Sequence, residues 1–140
     1  MKRKAGAVWK GGLKDGRGLV STESQTLSQA SFAFVSRFEH GSGTNPEELI
    51  AAAHAACFSM ALAAELEKAS MSPELIETEA TVTLEKLDPG WRVTGIRLDV
   101  RAKVPGADPA RFQKAAETTK AGCPVSVLLN APIAMTAELE

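Results

Sequence analysis

One apolar helix constrains this chain more than anything else in it. Asn45-Pro46-Glu47-Glu48 reads as a helix start. Asn45 can cap, Pro46 suits the first helical position, and Glu48 lies three residues past the cap. The pattern predicts a helix to about Ala69, stopping before Ser72-Pro73. From Leu49 to Ala64 it carries no formal charge and is apolar nearly all round. A helix with no polar face is buried on every side. In a chain of 140 residues it needs cover from sheets, from a second helix or from a second subunit. The uncharged stretch falls short of the ~20 residues that span a membrane.

The flanking segments read as strands. Ala5 to Lys10 and Arg17 to Thr22 flank Lys14-Asp15-Gly16, a hairpin signal, and Ser31 to Phe38 forms a plausible third strand. After the helix, Ile76, Ala80, Val82 and Leu84 alternate with Glu77, Glu79, Thr81, Thr83 and Glu85, a half-buried strand. Asp88-Pro89-Gly90 turns the chain. Trp91 and Val93 open the next strand, whose apolar set then shifts by one to Ile96, Leu98, Val100, Ala102 and Val104. The shift predicts a β-bulge at Gly95. Asp108-Pro109 opens a helix through about Lys120, and Cys123-Pro124 starts a short one to Asn130. Ile133, Met135, Ala137 and Leu139 alternate into a last strand. The order β-β-β-α-β-β-α-α-β predicts an α+β protein, a single domain over residues 1–140, rather than a βαβ parallel sheet.

Composition removes several function classes. Sixteen Lys and Arg against 17 Asp and Glu argue against a nucleic-acid partner, and aromatics at 5% argue against base stacking. No signal peptide is visible, which with the short apolar stretch predicts a soluble, cytoplasmic protein without a membrane role. Two cysteines are too few for a disulfide-framed secreted domain. No G-x-S-x-G, P-loop or G-x-G-x-x-G is present. His40, His54, Cys57 and Cys123 lack the paired spacings of zinc motifs, so no metal is expected.

The remaining chemistry is thiol chemistry. Cys57, in mid-helix, is either a small buried hydrophobe or a reactive thiol. Cys123, at a helix start, faces unpaired backbone N–H groups that favour a thiolate; it is equally a filler at a helix junction. His54 shares a helix face with Cys57, which permits a Cys–His dyad or merely a packed histidine. Arg37 ends a hydrophobic strand and could hold a thiolate or a peroxide oxygen, or be an ordinary strand-end charge. Glu47 and Glu48 suit the helix dipole.

Two motifs point further. Arg37-Phe38-Glu39, with Gly43-Thr44-Asn45-Pro46-Glu47-Glu48-Leu49-Ile50 and Ala52-Ala53-His54-Ala55-Ala56-Cys57-Phe58-Ser59-Met60, resembles the osmotically inducible OsmC proteins. Ala121-Gly122-Cys123-Pro124-Val125-Ser126 resembles that family's second cysteine motif, and Trp9 and Val20-Ser21-Thr22-Glu23-Ser24 extend the similarity towards the amino terminus. The resemblance implies an OsmC-like fold: antiparallel sheets around a long buried central helix, in an intertwined homodimer. It implies a thiol-dependent peroxidase that reduces organic hydroperoxides to alcohols without a cofactor and is restored by an external dithiol or a lipoylated protein. It makes Cys57 the peroxidatic and Cys123 the resolving cysteine, and matches Arg37 and Glu47 to the family's polar active-site pair. The position of Arg37 fits the OsmC branch rather than the organic hydroperoxide resistance branch. His54 stands where that sister branch usually has Tyr and is given no catalytic role.

Glu47 and Cys57, ten residues apart, are separated by about 15 Å along one helix. Both serve one site only if the chain bends sharply or a second subunit supplies Glu47, so two sites are expected at a dimer interface. Two other readings remain: a Cys–His thiol hydrolase or acyl-transfer enzyme using Cys57 and His54, and a non-catalytic dimer that binds a lipid-like ligand.

Overall fold

Ten regular elements follow in the order β1 (Ala5–Lys10), β2 (Arg17–Thr22), β3 (Ala30–Phe32), α1 (Phe34–Phe38), α2 (Pro46–Lys68), β4 (Leu75–Lys86), β5 (Trp91–Lys103), α3 (Pro109–Gly122), α4 (Pro124–Leu128) and β6 (Ile133–Leu139). They come from a computed structural model that describes residues 1–140. Two compact units result, Met1–Leu49 and Ile50–Glu140.

In the first unit β1, β2 and β3 form an antiparallel sheet in that order. Gly18 of β2 lies opposite Phe32 of β3, and a Cβ at Gly18 would run into the Phe32 ring. Glycine is required there by close approach, not by backbone conformation. The expected third strand stops early. Residues 34–38 are helical instead, because Ser36 supplies what a strand partner would have supplied. Its hydroxyl accepts from the Ala33 N–H (2.9 Å) and lies within hydrogen-bond distance of the Ala33 and Thr44 carbonyls (3.0 and 2.8 Å). Phe34 and Phe38, four residues apart, then meet with ring centroids 4.8 Å apart, a helical spacing hidden in an apolar run. Asn45 caps α2 as expected: its Oδ1 accepts from the Glu48 N–H at 2.9 Å, while its Nδ2 donates to the Ser36 carbonyl at 3.1 Å.

The second unit is built on a three-stranded sheet of order β4-β5-β6. β4 and β5 are antiparallel with the register Ile76↔Ala102, Ala80↔Leu98 and Val82↔Ile96. Thr83 faces Gly95 and Leu84 faces Val93, so Thr94 is the extra residue. The expected bulge is therefore present, one residue before Gly95. β6 pairs with β5 in parallel, Ile96 with Ile133 and Leu98 with Met135. This departs from the all-antiparallel expectation: α3 and α4 form the crossover that a parallel pair needs.

Leu98, Val100, Ala102 and Val104 of β5 and its end pack with Phe112, Ala115 and Ala116 of α3 and with Phe58, Leu62 and Leu66 of α2. Asp108 caps α3 by accepting from the Arg111 N–H at 2.8 Å. The buried residues of α2 are His54, Phe58, Leu62 and Leu66, a stripe at spacing four. Burial on every side is not met within one chain. Ala52, Ala53, Ala56 and Ala64 are exposed on the other face, and Met60 is 73% exposed. At 23 residues α2 is long and apolar enough to cross a membrane by length and composition alone, but its Phe58, Leu62 and Leu66 are part of the protein core.

Candidate functional site

The two cysteines meet. Cys57 lies on α2 and Cys123 at the junction of α3 and α4, 66 positions apart. Their Sγ atoms are 3.1 Å apart and both thiols are free. A disulfide bond is about 2.05 Å long, so a sulfur displacement of about 1 Å would close one. Cys123 is fully buried and Cys57 half-buried. A reagent arriving from solvent therefore meets Cys57 first.

Their acidities run the other way. Burial pushes the Cys57 thiol up, and its hydrogen bond with Cys123 adds to the rise against a smaller opposing effect of the Val125 N–H. Burial acts on Cys123 too, but is outweighed. The Ser126 N–H, the Cys57 thiol, the Val125 N–H and the Ser126 hydroxyl all favour its thiolate, so its pKa is lowered. The N–H groups do this without closing a cap hydrogen bond of full geometry. The sequence-based preference for Cys123 as the readier thiolate thus holds.

His54 is buried, with Nε2 2.8 Å from Ser126 Oγ. Its Nδ1 is buried without a partner, and burial lowers its pKa. Its Nε2 bonds Ser126 rather than Cys57 and its Nδ1 bonds neither, so the Cys–His dyad is not formed. Sequence reasoning did not single out Ser126. The available signal was its position three residues after Cys123, on the same face of a short helix.

Arg37 and Glu47 meet within the first unit. Arg37 Nη2 donates to Glu47 Oε1 at 2.8 Å and Nε to Oε2 at 3.2 Å, the planar fork-to-carboxylate arrangement. The guanidinium also lies 5.1 Å from the Phe38 ring centroid. The Arg37 side chain keeps 38% of its surface exposed against 12% for Glu47, which leaves the outer side of the fork open. Next to it is a mostly apolar cavity of about 220 Å³. Trp9, Phe32, Phe34, Phe38 and Pro46 line it together with Arg37. Nothing in the pattern of the sequence announced these walls, because the aromatics come from three separate elements.

Residues 39–138 match the family described as OsmC-like proteins. The chain belongs to that family. Over 138 residues this OsmC-like chain is 49% identical to Peroxiredoxin OsmC of Escherichia coli (strain K12), covering 99% of the chain and 96% of that relative. It is 33% identical over 100 residues to an organic hydroperoxide resistance protein of Xanthomonas axonopodis pv. citri (strain 306), covering 71% of the chain and 68% of the relative. Among solved structures, an OsmC-like protein from Mycoplasma pneumoniae superimposes with a TM-score of 0.78 over 99% of this chain and 97% of that one, at 14% identity. That likeness concerns the fold, which is α+β here as expected.

Proposed function

We propose that this OsmC-like chain is a thiol-dependent peroxidase that reduces organic hydroperoxides to alcohols. The observation that carries the reading is the 3.1 Å approach of two free cysteine sulfurs, one reachable from solvent and one buried. The names of the two curated relatives, a peroxiredoxin and an organic hydroperoxide resistance protein, support it.

The Cys57 thiolate attacks the distal oxygen of ROOH. The O–O bond breaks, and the alkoxide leaves and is protonated to ROH. Cys57 is now a sulfenic acid. Cys123 attacks its sulfur, the S–S bond forms, and the displaced hydroxide leaves as water with the proton that Cys123 gave up. An external dithiol, free or on a lipoylated protein, then restores both thiols. The accessibility of Cys57 supports it for the first step, and the acidity of Cys123 suits the second. The raised Cys57 pKa means that the first step needs a cation, and Arg37 is that cation. Glu47 holds its fork in place.

About 15 Å of helix separates Glu47 from Cys57 of the same chain. The reading therefore has residues 1–140 act as one domain in a homodimer, with Arg37 and Glu47 of each protomer reaching the partner's Cys57. The uncovered apolar face of α2 supports a second copy there. The aromatic cavity beside Arg37 would take the hydrocarbon tail of the peroxide. A soluble, cytoplasmic homodimer that binds neither nucleic acid nor membrane fits this role.

The test is a thiol count and an intact mass after one equivalent of cumene hydroperoxide is added to reduced protein. Loss of both thiols, a mass lower by two hydrogens per chain and a Cys57–Cys123 bridge in the peptide map are expected. Two free thiols and an unchanged mass would remove the reading.

A further inference from the structure

The mechanism leaves one buried titratable group unused. His54 lies fully inside the second unit, on α2 one turn before Cys57. Its Nε2 is 2.8 Å from Ser126 Oγ, and its Nδ1 faces no partner. Ser126 is the third residue of α4, whose N-cap is Cys123, and its hydroxyl is among the groups that favour the Cys123 thiolate. Cys123 Sγ in turn touches Cys57 Sγ at 3.1 Å. The four side chains run in series from a buried imidazole to the sulfur that meets the peroxide.

A serine hydroxyl has one proton to give. If Ser126 gives it to His54, none is left for Cys123. If His54 gives its own Nε2–H to Ser126, the hydroxyl proton is free for the sulfur. The unpartnered Nδ1 favours the second arrangement, since it leaves a lone pair unmatched rather than a bare buried N–H, the rarer defect. The tautomer follows from the hydrogen bonds. Burial, with no charged neighbour to offset it, keeps His54 neutral. The titratable groups in this series are His54 and Cys57 on α2 and Cys123 at the start of α4.

We propose that His54 is a positioning residue for Cys123: its Nε2–H donates to Ser126 Oγ, which turns the Ser126 hydroxyl towards the Cys123 sulfur and presents that sulfur as a thiolate to oxidised Cys57. The step served is disulfide formation. Cys123 gives up its proton and attacks the Cys57 sulfenic sulfur, the S–O bond breaks, and hydroxide leaves as water. The assignment of that step rests on the peroxidase reading, whereas the effect on Cys123 does not.

The experiment separates the two. In a Cys57→Ser background, Cys123 is the only thiol, and its ionisation is followed against pH by the ultraviolet absorbance of the thiolate, which needs no reagent to reach the buried sulfur. Ser126→Ala and His54→Leu should each raise the midpoint by about one pH unit, the scale of one lost charge-assisted hydrogen bond. His54→Gln, whose side-chain N–H can replace Nε2–H, should restore the original midpoint. In chains that keep Cys57, Ser126→Ala should slow disulfide formation about tenfold after one equivalent of cumene hydroperoxide, so that dimedone traps the sulfenic acid, while sulfenic acid formation itself is unchanged. An unmoved midpoint in Ser126→Ala, with the fold checked by circular dichroism, overturns the proposal. So does a midpoint that rises as far in His54→Gln as in His54→Leu. A chain that ignores cumene hydroperoxide defeats the peroxidase reading instead, and the ionisation midpoints still decide the role of His54.

Discussion

Met60 gives the sharpest test of the proposed dimer. It lies on α2, three residues past Cys57 and 73% exposed in the single chain. Alanine there touches nothing in the protomer core and is a better helix former, so protomer stability should change by less than about 0.5 kcal/mol. The dimer is another matter. Burying a Met side chain completely stabilises by roughly 2 kcal/mol, and about three-quarters of that area is still available for a partner. A two-fold interface uses the residue in both protomers. Met60→Ala should then weaken dimerisation by about 3 kcal/mol, which is about 100-fold in Kd. Sedimentation velocity across a concentration series reads this directly, with a thermal melt at high dilution as the fold control. Peroxidase activity should fall with the dimer fraction, because in the proposed arrangement each Cys57 depends on Arg37 of the second copy. Disulfide formation by diamide should persist, because both cysteines belong to one chain. A wild-type protein that is monomeric at every concentration, or a variant with unchanged Kd, refutes the reasoning.

Three other outcomes follow from the site. Cys123→Ser should still reduce one equivalent of hydroperoxide but stall as a Cys57 sulfenic acid, lowering dithiol-driven turnover at least about 100-fold; steady-state assays and dimedone labelling check this. Arg37→Ala should slow the first chemical step by about 100-fold, and Glu47→Gln, which keeps the cation and loosens the fork, by about tenfold, both read by stopped-flow single turnover. His54 should make stability depend on pH. Its folded pKa lies below the ordinary 6.5, so the unfolded chain takes up the proton first as pH falls. The stabilisation is complete above pH 6.5 and is lost as pH drops towards the folded value, so calorimetric Tm should decline from pH 7.5 to 5.5 and His54→Gln should flatten the decline.

What the sequence disclosed depended on whether a local pattern carried the answer. The cap at Asn45 and the phase change near Gly95 are local, and both were legible to within a residue. The α1 helix was not. Its apolar run reads equally as a strand, and the deciding contact is a Ser36 hydroxyl reaching Thr44 across a loop. The parallel pairing of β6 was also hidden, because alternation marks the faces of a strand and says nothing of its direction. The two cysteines illustrate the same limit. Each was noticed for its own surroundings, but only the family resemblance joined them, since no spacing rule spans 66 positions.

The helix itself explains why Cys57 holds its place. At about 100° per residue, the buried stripe of His54, Phe58, Leu62 and Leu66 begins to one side of Cys57, while Ala53, Met60 and Ala64 fall to the other. Cys57 stands on the border between core and open face. Under the proposed peroxidase cycle, a position deeper in the stripe would hide the sulfur from peroxide, and one further out would carry it away from Cys123. A cysteine that must be attacked from solvent and then resolved from the core has few positions on such a helix. Cys57 is half-buried beside a fully buried Cys123, which is the arrangement that the proposed cycle requires.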